Sequence, residues 1–184
     1  MKNTNRKIKF LTDKEIRQII DKMGVAKRPR TMRDKAIFET LFSTGLRVHE
    51  LVALPDAPFV SATGNTMELS ITGKGGRQRT IYFSPKCLQA IKSYLAVRRD
   101  SELLLFPLTP RGVQMMIKKR GAAAGFDWIH PHTIRHSFAT DLLRKGVNLF
   151  DVKEFLGHES INTTQVYLHA TNVELKNIHT KLYK

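Results

Sequence analysis

One short block of strand-like alternation, set among segments with helical spacing, limits what this 184-residue chain can fold into. From Thr66, apolar side chains fall at every second position (Met67, Leu69, Ile71). A Gly73-Lys74-Gly75-Gly76 turn follows, and Thr80, Ile81, Tyr82 and Phe83 form a second strand. Two strands around a glycine-rich turn make a hairpin. The remaining segments read as helices, so the expected class is α+β, mostly helical with a small antiparallel β-sheet. At roughly 150 residues per domain the length favours one domain, and a chain of this size needs no disulfide or metal staple.

The helix signals are local. Thr12 with Glu15 three residues on makes a capping box, and Ile16, Ile19, Ile20 and Met23 follow at helical spacing until Gly24. Lys27–Arg33 reads as a basic loop and Asp34–Thr44 as a second helix stopped by Gly45. A short helix is expected over Arg47–Leu54. Ser84-Pro85 and Thr109-Pro110 each place a cap before a first-turn proline and so open helices. Further helices are expected at about 132–145, 148–157, 160–169 and 171–182. Residues 1–10 read as a basic arm or linker stub, and 11–184 as one domain.

Charge narrows the partner. With 31 Lys+Arg against 16 Asp+Glu the net charge is +15 and the pI about 10.2, a balance whose usual counterpart is nucleic acid. No apolar run is long enough for a membrane span, and the one cysteine, Cys87, excludes an internal disulfide framework and fits a reducing cytoplasm. Composition alone leaves enzyme and binder open.

Four polar motifs carry chemistry. In Thr44-Gly45-Leu46-Arg47-Val48-His49-Glu50-Leu51, Arg47 and Glu50 meet on one helical turn, although such pairs are common on surfaces. Lys74 sits at the hairpin tip with Arg77 and Arg79 close behind, where glycines permit close approach to another backbone; the spacing does not match a nucleotide-binding loop. His132, Arg135 and His136 fall at i, i+3 and i+4 on one face of a helix, with Ile134, Phe138, Leu142 and Leu143 mostly opposite. His158 follows Leu156-Gly157, and Tyr167 lies in the next helix, where a half-buried core aromatic is the plain alternative. A metal site among His130, His132, His136, His158 and His169 is disfavoured, because no carboxylate stands between the helical histidines and Cys87 has no partner.

Taken in order, TGLRVHEL, GKGGRQRTIYF, HTIRHSFATDLLRKG and LGHESINTTQVYLH resemble the catalytic domain of tyrosine site-specific recombinases, the phage-integrase, Xer and fimbrial-switch enzymes. The resemblance runs from about Leu11 to about Leu182. It implies the tyrosine-recombinase catalytic fold and an enzyme that cleaves and rejoins DNA through a 3′-phosphotyrosine. It also assigns roles. Arg47, Lys74, His132, Arg135 and His158 are the implied catalytic set, Tyr167 the nucleophile and Glu50 the structural carboxylate beside the first arginine. No metal or other cofactor is implied, since arginine and lysine supply the positive charge.

The partner is then double-stranded DNA. Lys27, Arg28, Arg30, Arg77, Arg79, Lys118, Lys119 and Arg120 are expected to contact phosphates and set register. The stretch 171–184 resembles the family helix that docks on a neighbouring protomer, giving a dimer or tetramer on DNA. The family's usual core-binding domain has no counterpart ahead of residue 11, so the chain is read as a fragment or as a naturally single-domain enzyme, with Met1 tilting towards the latter. Two other readings stay open: a DNA-binding protein that kept the fold without catalysis, and a type IB topoisomerase with the same phosphotyrosine chemistry.

Overall fold

Local signals set the helix boundaries in the computed structural model, which describes residues 9–25, 28–76 and 78–157. The Thr12 amide donates to Glu15 Oε2 at 2.7 Å and the Glu15 amide to Thr12 Oγ1 at 3.3 Å, so the capping box opens α1 (Asp13–Lys22) as expected. Helix α2 (Pro29–Thr44) starts five residues earlier than the sequence reading placed it. Pro29 sits in the first turn behind an extended Arg28, so Arg30 and Arg33 stand on a helix and not in a basic loop. Gly45 ends this helix at φ 63. After α3 (Val48–Val52), a short α4 (Ala57–Val60) that carries no sequence period of its own leads to the hairpin.

Strands β1 (Met67–Thr72) and β2 (Gln78–Phe83) pair antiparallel, with Met67 opposite Phe83, Leu69 opposite Ile81 and Ile71 opposite Arg79. Helices α5 (Pro85–Leu95) and α6 (Pro110–Ala123) are capped as expected. The Cys87 amide donates to Ser84 Oγ at 3.3 Å and the Gly112 amide to Thr109 Oγ1 at 3.1 Å. Helices α7 (Pro131–Arg144) and α8 (Leu149–Leu156) complete the described elements. The expected helices at 160–169 and 171–182, and most of the 1–10 arm, lie outside the described residues.

The core is organised around α2, which packs against α1, α5, α7 and β2. It buries Ala36, Ile37, Phe38 and Leu41 together with Glu39 and Thr40, so no face of it is left to solvent over that turn. Cys87 lies in this core, and burial pushes its thiol up to about 12 despite a hydrogen bond to Thr40. A second, smaller cluster joins α7 to α8 through Phe138, Ala139, Val152 and Leu156. The two clusters place the C-terminus of α2, the N-terminal half of α7 and the C-terminus of α8 together. Among the described residues no helix is long and apolar enough to cross a membrane.

Candidate active site

Two glycines bring these helix ends together. A Cβ on Gly45 would stand 2.4 Å from Phe138 Cδ1 and 3.2 Å from Leu156 Cδ2, so the turn after α2 lies directly on α7 and α8. Gly157 ends α8 at φ 61, and a Cβ there would stand 2.9 Å from Arg79 Cδ. Glycine is therefore required at both places for backbone conformation and for close approach.

The arginines use the backbone groups exposed by this junction. Arg135 is only 4% exposed; its Nη1 donates to the Gly45 carbonyl at 2.5 Å and its Nη2 to the Leu156 carbonyl at 2.6 Å. Arg47 Nη2 donates to the next carbonyl, that of Gly157, at 3.4 Å. The last carbonyls of a helix have no intrahelical partners and carry partial negative charge, so cationic donors are favoured there. Both guanidiniums thus gather at the C-terminus of α8, one residue before His158. The sequence reading gave α7 a polar face opposite an apolar one. The structure corrects this: Thr133, Ile134, Arg135, Ser137, Phe138, Ala139 and Thr140 are all buried, because carbonyls from two neighbouring elements supply Arg135 with partners.

Glu50 organises the other side. Its Oε2 accepts from the Arg47 amide at 2.7 Å and its Oε1 from Arg47 Nη1 at 3.2 Å. The same carboxylate accepts from Arg79 Nη1 at 2.8 Å and Nη2 at 2.7 Å. Burial would raise the Glu50 pKa, but the Arg79 hydrogen bonds, the Arg47 amide and the two positive charges outweigh it and hold the carboxyl below its usual range. The side chains of Glu50 and Arg79 are each 9% exposed, whereas that of Arg47 is 29% exposed.

His132 is exposed on the first turn of α7. Partial burial first, then the charges of His130, Arg135 and Arg47, lower its pKa below the ordinary histidine value. Burial, then His132, His130 and Arg135, push His136 down to about 4. Among the described residues no three His, Cys, Asp or Glu side chains are grouped to hold a metal ion.

The sequence-derived site is thus brought together in part. Arg47, Glu50, His132 and Arg135 converge, and the backbone of Lys74 sits in the hairpin turn at Lys74–Gly76. His158, Tyr167, Lys27, Arg77 and the Lys74 side chain lie outside the described residues. Two expected DNA contacts have other partners. Arg79 turns inward to Glu50. Arg120 donates from Nε and Nη2 to Asp34 Oδ2 at 2.9 and 2.7 Å, beside a carboxylate only 1% exposed. A buried carboxylate holds its cation far more firmly than solvent does, which explains both. Arg28, Arg30, Lys118 and Lys119 are exposed. The alternation of β2 carried the signal for Arg79, since it shares its face with the buried Ile81 and Phe83.

A model described as the phage integrase family matches residues 9–174. The chain is 36% identical over 162 residues to the tyrosine recombinase XerC of Leptospira interrogans, a match covering 83% of this chain and 51% of that protein. The chain therefore spans about half the length of that relative. The crystal structure of XerA recombinase superposes with a TM-score of 0.78 at 26% identity, covering 96% of this chain and 65% of the other. That of XerH site-specific recombinase bound to palindromic difH substrate gives 0.79 at 23% identity, with 100% and 56% covered, a likeness of fold.

Proposed function

The chain belongs to the phage integrase family, and on that premise we propose that it cleaves and rejoins DNA at specific sites through a 3′-phosphotyrosine on Tyr167. The observation that carries the reading is the convergence of Arg47 and Arg135 on consecutive carbonyls at the end of α8, one residue before His158. Two permanently charged guanidiniums held in place by the fold suit the charge of a pentacoordinate phosphorane and need little rearrangement as it forms.

In the proposed reaction Tyr167 Oη gives its proton to His132, His158 or solvent and attacks the scissile phosphorus, and the bond from phosphorus to the 5′-oxygen breaks. Lys74 gives a proton to that oxygen, which leaves as a 5′-hydroxyl. Resealing is the reverse, with a 5′-hydroxyl attacking the phosphotyrosine, so the bond energy is kept and no external energy source is needed. Tyrosine ionises at about pH 10, so forming the phenolate at neutral pH costs about 4 kcal/mol without help from nearby cations. His132, whose pKa partial burial and the neighbouring positive charges lower, and His158 would hydrogen-bond the phosphate or move protons.

Residues 11–184 would form the catalytic domain, with 1–10 as an arm ahead of it. Arg28, Arg30, Lys118 and Lys119, with Lys27 and Arg77, would bind phosphates of double-stranded DNA in the cytoplasm, on the nucleoid. Segment 171–184 would dock on a second copy to give a dimer or tetramer on DNA. Integration, excision, inversion and dimer resolution all use this chemistry.

The test is a denaturing gel. The protein is incubated with fragmented genomic DNA of its host, covalent adducts are sequenced, and the recovered site is rebuilt as a nicked half-site duplex. A shifted band that vanishes in Tyr167→Phe while DNA binding persists is the expected result. No Tyr167-dependent band on either DNA overturns the reading in favour of a binder, and supercoil relaxation by a monomer without strand exchange would point to a topoisomerase.

A further inference from the structure

The hairpin that carries Lys74 is held unevenly. At its base the inward side chains of β2 are Ile81 and Phe83, exposed by only 2% and 1%. Towards the tip the facing strand is only half buried, and the next inward side chain is Arg79, opposite Ile71 and one pair from the turn. A two-stranded hairpin is marginal by itself, so the position of its tip depends on what holds that last inward residue. Arg79 reaches 29 positions back along the chain to Glu50 with two charge-assisted bonds of 2.8 and 2.7 Å, the strongest class of side-chain hydrogen bond. Its stem lies against Gly157, so close that a Cβ there would stand 2.9 Å from Cδ. Glu50 in turn holds the amide and Nη1 of Arg47. Arg79 therefore touches both elements that frame the proposed phosphate site and is part of the strand that leads to Lys74.

We propose that Arg79 is a positioning residue, which pins the tip of the hairpin to Glu50 and the end of α8 and so sets where Lys74 stands relative to the scissile phosphate. This rests on the reading of Lys74 as the proton donor to the leaving 5′-oxygen. It gives Arg79 a role in the rate of the chemical step, separate from holding DNA.

The experiment compares adduct formation in single turnovers on the nicked duplex with either oxygen or sulfur as the 5′-bridging atom. A thiolate leaves without being protonated, so sulfur removes the need for a proton donor and for whatever positions it. On the oxygen duplex, Arg79→Met should lower the saturating rate by about 10²-fold, the scale of losing about 1 Å of alignment, with the half-saturating DNA concentration unchanged. Lys74→Ala should fall at least as far. With sulfur, both should recover to within about tenfold of the wild-type protein, on the same order-of-magnitude reasoning. Arg79→Lys, which keeps a charge towards Glu50 but loses the paired geometry, should fall between, and it carries the comparison if Arg79→Met does not fold.

Recovery of Lys74→Ala without recovery of the Arg79 variants overturns the proposal, as does an Arg79 loss that appears only as weaker DNA binding. Failure of Lys74→Ala itself to recover overturns the proton-donor reading, and the Arg79 proposal with it.

Discussion

Gly45→Ala tests whether the junction of α2, α7 and α8 is as tight as the site requires. Two costs add. Gly45 has φ 63, which an L side chain adopts at about 1–2 kcal/mol. The new Cβ would also stand 2.4 and 2.7 Å from Cδ1 and Cε1 of Phe138 and 3.2 Å from Leu156 Cδ2. Phe138 is 8% exposed and packed with Ala139, Val152 and Leu156, so its ring has little room to turn aside. Overpacking of this kind costs about 1–3 kcal/mol, giving about 2–5 kcal/mol in all. Gly146 separates the terms: its φ is 88 and nothing lies within 4 Å of a Cβ there, so Gly146→Ala should show the backbone cost alone. Urea unfolding monitored by circular dichroism measures both, and Phe138→Leu in the Gly45→Ala background should return part of the loss. The Gly45 carbonyl accepts from Arg135 at 2.5 Å, so adduct formation should slow as well. If Gly45→Ala costs no more than Gly146→Ala, the steric account of this junction is wrong.

Two more outcomes follow from ionisable groups that the fold partly buries. His136, pushed from 6.5 down to about 4, is neutral when folded and protonated more readily when unfolded; its contribution is complete above pH 6.5 and is lost as pH falls towards 4. Between pH 7.5 and 5 the full shift would amount to about 2 kcal/mol, and solvent screening of this partly buried ring reduces it to about 1 kcal/mol; His136→Gln should flatten that slope in urea midpoints, and an unchanged slope would assign the acid sensitivity elsewhere. Arg120 is engaged by Asp34, so Arg120→Met should lower stability, by about 1–3 kcal/mol, yet leave the salt dependence of DNA binding unaltered. Lys118→Gln and Lys119→Gln should each reduce the slope of log affinity against log salt by about 1, and a comparable reduction in Arg120→Met would return that residue to the DNA-contacting set.

Features that depend on a few neighbouring residues were legible in the sequence: the Thr12–Glu15 capping box, the glycine stop at Gly45, the cap-plus-proline starts of α5 and α6, and the hairpin around its glycines. Each is a short-range hydrogen-bonding or steric requirement, so local order suffices to determine it. The order of the four motifs likewise sufficed to name the site candidates. Partner choice was not legible. Arg79 and Glu50 are 29 positions apart, Arg120 and Asp34 86, and Arg135 and Gly45 90. Spacing could put Arg79 on the inward face of β2, but it could name neither Glu50 nor Asp34 as a partner, and for Arg120 it gave no direction at all. Only the packing of β2 against α3, of α6 against α2, and of α7 against α2 and α8 brings these cations to buried carboxylates and carbonyls, where an unpaired charge is costly. Out of a net charge of +15, tertiary structure thus turned Arg79 and Arg120 onto the carboxylates Glu50 and Asp34 and left Arg28, Arg30, Lys118 and Lys119 exposed.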